Sequence, residues 1–110
     1  MRNIEILKQR NLLGLVNKLV KNLENYGTFY IFGSALQNLN KAKDLDLIFV
    51  PRADVQVPTF NDSCVYIQYS LYRKKQDKPI KDYIDLVIDE TGVFHKKILN
   101  KIPFKEWLSK

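Results

Sequence analysis

The sequence predicts an α/β (α+β) fold: a small mixed β-sheet of about four strands with helices packed on one face. Three observations lead there. The chain opens on apolar residues at helical spacing, four runs rich in β-branched and aromatic residues follow, and helical spacing returns after Thr91. In the opening stretch Leu12, Leu15, Val16, Leu19, Val20 and Leu23 form one stripe, with Lys18, Lys21 and Glu24 off its centre. This predicts a helix from about Asn3 to Glu24. Asn25 and Gly27 stop it. Thr28 to Phe32, closed by Gly33, reads as a short buried strand, and Ser34 to about Leu39 as a short helix that Ser34 caps. After a polar loop from Asn38 to Lys43, Asp44 to Val50 is a second strand, ended by Pro51. Arg52 to Asp62, with Pro58 and alternating Val55 and Val57, is loop or edge strand. Cys64 to Arg73 and Ile80 to Ile88 are two further strands, and the polar run Lys74 to Lys78 with Pro79 between them predicts a β-hairpin. In the last stretch Phe94, Ile98 and Ile102 align on a helix until Pro103, and Phe104, Trp107 and Leu108 form a short apolar end.

A chain of 110 residues with 45% apolar and 27% charged residues has the make-up of one packed domain, expected over 1–110, and lies outside the disordered range. No apolar run approaches the roughly 20 residues that span a bilayer, and no signal-peptide pattern opens the chain. The expected location is the cytoplasm, away from membranes. Cys64, the single cysteine, cannot form an intramolecular disulfide or a multi-cysteine metal site, which fits a reducing compartment. Eighteen basic residues against twelve acids leave a formal charge of +6. The excess is terminal: residues 1–30 carry five bases and two acids, residues 91–110 five and one, and residues 31–90 eight and nine. Such a charge suits an anionic partner, a nucleotide or nucleic acid, and equally suits the solvated faces of basic helices.

The carboxylates of the middle stretch carry the chemistry. Phe32-Gly33-Ser34 sits at a strand-to-helix turn, where glycine allows close approach of an anion. The following N–H groups and the Ser34 hydroxyl can donate to phosphate oxygens. A Gly-Ser turn alone is far more often only a turn. Asp44 and Asp46 alternate with Leu45, Leu47 and Phe49, so both acids project from one face while their neighbours point into the core. Paired like charges raise a pKa or cost stability unless a cation lies between them or the face is open to water. In Tyr83-Ile84-Asp85-Leu86-Val87-Ile88, Asp85 interrupts an apolar run, and a charge there needs a partner or a solvent-facing position. Asp82 and Asp89 lie near the strand ends, where a solvated acid is ordinary. If the strand of Asp85 pairs beside that of Asp44 and Asp46, three carboxylates converge near Gly33 and Ser34. An all-oxygen set of this kind suits Mg²⁺, with Mn²⁺ as a substitute, and serves phosphoryl-type transfer by positioning and charge neutralisation.

Gly33-Ser34, a nine-residue spacer, Asp44-x-Asp46 and a downstream strand Asp85 together resemble the signature of the DNA-polymerase-β-like nucleotidyltransferases, in particular the small stand-alone minimal nucleotidyltransferases. The resemblance spans about residues 12–90. It implies a nucleotidyltransferase-like fold, with Mg²⁺ held by Asp44, Asp46 and Asp85, Asp85 as the general base, and Gly33 and Ser34 at a nucleoside triphosphate. The implied reaction moves a nucleoside monophosphate, AMP from ATP, to a hydroxyl acceptor. Stand-alone members of that family frequently act as antitoxins that modify a tyrosine of a HEPN-type ribonuclease, and the resemblance implies such a partner here. A chain of this length leaves little room for an acceptor-binding domain, so the acceptor is expected on a partner protein or in a homo-oligomer. The sequence departs from the pattern at Ala35 to Leu39, where small members carry a basic residue and a glycine, and at Lys43, where they carry a serine. Lys41 and Lys43 are the nearest replacements for the missing charge. Residues 63–80 read as strand and turn where many relatives have a helix.

Two other classes fit the same residues. One is a non-catalytic binding module of this fold, or an antitoxin, that acts by protein–protein contact. The other is a small basic nucleic-acid binder whose affinity falls steeply with salt. His95 is the single histidine, with no second ligand or nucleophile in view. Tyr66, Tyr69 and Tyr72 read as packing residues rather than base-stacking ones.

Overall fold

Two helices open the chain where one was expected. The computed structural model describes residues 1–69 and 82–110. Its first helices, α1 (Asn3–Gln9) and α2 (Leu13–Leu23), are separated at Asn11, whose φ of 59° is left-handed. The amide of Leu12 donates to the Leu7 carbonyl and that of Asn11 to Lys8, the paired bonds of a helix closed by a left-handed residue. Asparagine tolerates that conformation better than most residues, so the break has a local cause.

After a 3₁₀ turn (Glu24–Tyr26) come β1 (Gly27–Phe32), the one-turn α3 (Ser34–Gln37), β2 (Asp44–Pro51), β3 (Val65–Tyr69), β4 (Tyr83–Ile88), α4 (Phe94–Lys97), β5 (Lys101–Pro103) and α5 (Phe104–Leu108). The fold is mixed α+β, as the sequence predicts, and among the described residues the sheet has five strands in the order β3-β4-β2-β1-β5. β1 runs antiparallel to β2 and β5, whereas β2 and β3 both run parallel to β4. The expected hairpin between the third and fourth strands is therefore wrong in direction, because a hairpin makes antiparallel neighbours. Every residue of β4 is buried, the mark of a strand inside a parallel arrangement with both faces covered. The expected turn at Lys74–Lys78 with Pro79, and the expected strand residues 70–73, 80 and 81, lie outside the described residues. Residues 52–62 form no strand, and Asp54 turns with a φ of 62°.

The C-terminal stretch also departs from the expected helix. α4 lasts one turn, Ile98 is already extended, and residues 101–103 add an edge strand to β1. Pro103 disfavours a helical conformation at Ile102, and the free edge of β1 offers that segment hydrogen bonds. Among the described residues no helix is long and apolar enough to cross a membrane.

Helices α1, α2 and α5 pack on one face of the sheet. Leu7, Leu12, Val16, Leu19, Leu23, Phe104 and Trp107 meet Phe29 and Ile31 of β1, Leu45, Leu47 and Phe49 of β2, and Ile84, Leu86 and Ile88 of β4. Leu45, Leu47 and Phe49 are fully buried, as their alternation with the acids predicts, and each such side chain contributes about 1.5–3 kcal/mol. Arg10, just before the helix break, ties this layer to the strands. Its guanidinium pairs with Asp82 at 2.6 Å and donates to the carbonyls of Leu39 at 2.8 Å and Lys43 at 3.3 Å. The opposite face of the sheet, which carries Tyr30, Phe32, Asp44, Asp46, Ile48, Tyr83, Asp85 and Val87, is touched by α4 through His95 stacked on Tyr30.

Candidate metal centre

β2 and β4, the two strands that carry the acids, are direct neighbours. Their parallel register sets Asp46 beside Asp85 and Asp44 beside Tyr83. Side chains at paired positions share a face, and residues two apart along a strand share it too, so the three carboxylates project together. One oxygen from each of Asp44, Asp46 and Asp85 lies within 4.8 Å of the others. Asp85 is only 3% exposed, whereas Asp44 and Asp46 are half-buried. The inner acid sits at the floor of the cluster and the outer two form its rim. Together they can hold a metal ion, since a cation removes the repulsion that three close carboxylates otherwise suffer.

The turn after β1 lies against the cluster. Phe32 pairs with Asp46, which brings the next residue, Gly33, against that carboxylate. Gly33 has a φ of 74°, and a Cβ on it would lie 2.5 Å from Asp46 Oδ2. Glycine is required there twice over, by its backbone conformation and by the closeness of the carboxylate. Gly33 occupies the capping position of α3 and the exposed Ser34 is the first helical residue, so the cap expected of Ser34 falls one residue earlier. Lys41 and Lys43 are exposed in the loop before β2.

Tyr83 is a member of the cluster that the sequence reading missed. It is 7% exposed, and burial, followed by the charge of Asp44, a hydrogen bond to Asp44 and the charges of Asp85 and Asp46, pushes its hydroxyl up to about 12. It thus remains a donor to Asp44 at any ordinary pH. Its ring stands edge-on to Tyr66, 5.1 Å between centres, which fixes the donor in place. Tyr69 is exposed on edge strand β3, and Tyr72 lies outside the described residues.

Asp89 and His95 also depart from expectation. Asp89 is fully buried rather than solvated at a strand end. Burial alone would raise its pKa, but the amide and ring of His95, the amide of Phe94 and the Thr91 hydroxyl outweigh this and hold it below the ordinary value. His95 Nδ1 lies 2.8 Å from Asp89 Oδ2. The single histidine does have a partner, and the pair fastens α4 to the end of β4. Asp82, the other acid read as solvated, is in the Arg10 ion pair.

Compared with family models, with curated proteins and with solved structures, the chain finds no match. What the site does is read from its own residues.

Proposed function

We propose that this chain is a nucleotidyltransferase that moves a nucleoside monophosphate, AMP from ATP, to a hydroxyl acceptor, with Mg²⁺ or Mn²⁺ held by Asp44, Asp46 and Asp85. The observation that carries the reading is the meeting of three carboxylate oxygens within 4.8 Å beside the Gly33-Ser34 turn. The donor set is all hard oxygen, which matches Mg²⁺ and Mn²⁺ and lacks the thiolate and imidazole ligands that zinc and copper favour. When bound, the cation supplies positive charge against phosphate oxygens and against the three acids.

The chain's own residues do the remaining work. Asp44 and Asp46 form the open rim, and Tyr83 keeps Asp44 turned into the cluster. Asp85 takes the proton of the acceptor hydroxyl as its oxygen bonds to the α-phosphorus, and the bond from that phosphorus to the pyrophosphate oxygen breaks. Gly33 lets the phosphates approach the backbone, and the Ser34 hydroxyl donates to a phosphate oxygen. The acceptor is a hydroxyl on a second protein, a tyrosine in the reading that the antitoxin resemblance supports.

The test is transfer of label from ATP carrying it on the α-phosphate, with Mg²⁺ and candidate acceptor proteins. Asp44→Ala and Asp46→Ala are each expected to lower transfer about a hundredfold or more. Transfer that survives both substitutions overturns the reading. Metal-dependent ATP binding without transfer to any acceptor makes the chain a binding module of the same fold.

A further inference from the structure

The strand register lines up one row across the sheet on the face of the acids. Lys101 of β5 lies beside Phe32 of β1, Phe32 beside Asp46 of β2, and Asp46 beside Asp85 of β4. With neighbouring strands about 4.8 Å apart, the backbones of Lys101 and Asp46 are separated by about 10 Å. The half-buried lysine is held by neutral groups: its ammonium donates to the Ile98 carbonyl at 2.9 Å and lies 5.8 Å from the centre of the Tyr30 ring. No carboxylate is among those partners. Tyr30, two residues before Phe32, shares the face of Asp46.

A pocket of about 300 Å³ lies between this lysine and the turn beside the acid cluster, with Gly33, Gln37, Asn100 and Lys101 among the residues that line it, though none of the three acids does. Gly33 is common to both, since its missing Cβ is what leaves room for Asp46. The turn itself supplies no cation, because Ala35, Leu36 and Gln37 follow Ser34. Three carboxylates outweigh one divalent cation, and a polyphosphate adds further negative charge, so the phosphates need a cationic side chain.

We propose that Lys101 is that cation: its ammonium exchanges the Ile98 carbonyl for the terminal phosphates of a nucleoside triphosphate lying between the Gly33 turn and β5. The inference rests on the nucleotidyltransferase reading and adds to it a phosphate-binding residue from the far edge of the sheet. It is tested by calorimetric titration of the whole chain with Mn²⁺ alone, Mn²⁺ with ATP, and Mn²⁺ with tripolyphosphate, in wild type, Lys101→Gln and Lys101→Arg. Lys101→Gln is expected to weaken ATP and tripolyphosphate about tenfold and to leave Mn²⁺ alone unchanged. Lys101→Arg keeps the charge and is expected to keep most of the affinity. Equal ATP affinity in wild type and Lys101→Gln, with metal binding intact, overturns the role of Lys101 and leaves the nucleotidyltransferase reading standing. If Lys101→Gln loses Mn²⁺ as well, or Lys101→Arg binds as weakly as Lys101→Gln, the lysine only holds the 98–101 segment and the assignment falls. Wild type that binds neither Mn²⁺ nor ATP overturns the underlying reading instead.

Discussion

Tyr83 acts on the site through one atom, a hydroxyl kept protonated by burial and by the carboxylates around it. Tyr83→Phe removes that donor and keeps the ring against Tyr66. Mn²⁺ affinity measured by titration is expected to fall about tenfold, as for other groups that orient metal ligands. Urea unfolding should show a loss of about 1 kcal/mol, the ordinary worth of one buried hydrogen bond. Gly33→Ala acts by sterics instead: the left-handed backbone costs about 1–2 kcal/mol with a Cβ present, and the new methyl pushes on Asp46. The three acids and Gly33 were legible in the sequence because alternation and a strand-ending glycine are local signals. Tyr83 and Lys101 were not. Each earns its place only through the residue opposite it on a neighbouring strand, Asp44 for one and Phe32 for the other, and pairing is not written in either strand alone.

The segment from Asp89 to α4 is held by a single carboxylate that receives the amides of Phe94 and His95, the His95 ring and the Thr91 hydroxyl. Because its native pKa lies below the free value of about 3.9, Asp89 adds stability that is complete above that value. This stability is lost as the pH falls through the lower native value. Asp89→Asn is expected to cost about 2 kcal/mol at neutral pH, since bonds to a charged acceptor are replaced by weaker ones. It should also flatten the acid limb of the stability curve followed by circular dichroism. An unchanged acid limb would show that Asp89 is not what unfolds the protein at low pH. Elements bounded by strong punctuation were legible: β1 and β2 follow the sequence closely because Gly33 and Pro51 close two apolar runs. The direction of β3 against β4 was not, since nothing inside an apolar run states which way its neighbour runs. The C-terminal apolar spacing misled for a related reason, as Ile98 and Ile102 satisfy a helix on paper while α4 already ends at Ile98 and the open edge of β1 recruits Ile102 into a strand.

For the molecule as a whole, three carboxylates this close repel one another, and a cation seated among them would relieve that repulsion. Mg²⁺ or Mn²⁺ should raise the melting temperature, with a gain that grows as the logarithm of the metal concentration over its dissociation constant. Asp44→Asn leaves Tyr83 an acceptor and takes away one of the repelling charges. In EDTA this variant is expected to melt no lower than wild type, and added metal should give it little or no further gain. A wild-type melting temperature that ignores both metals would mean that the carboxylates are stabilised by the protein alone. The parallel pairing of β4 with β2 has one more consequence. Sliding either strand by a single position would turn Asp85 toward the oily layer under α2, or else bring Leu86 or Ile84 round among the carboxylates. Misaligned versions of the sheet are thereby penalised far more than a purely apolar pair of strands would be, and the same three acids that repel one another in the finished fold help to choose it.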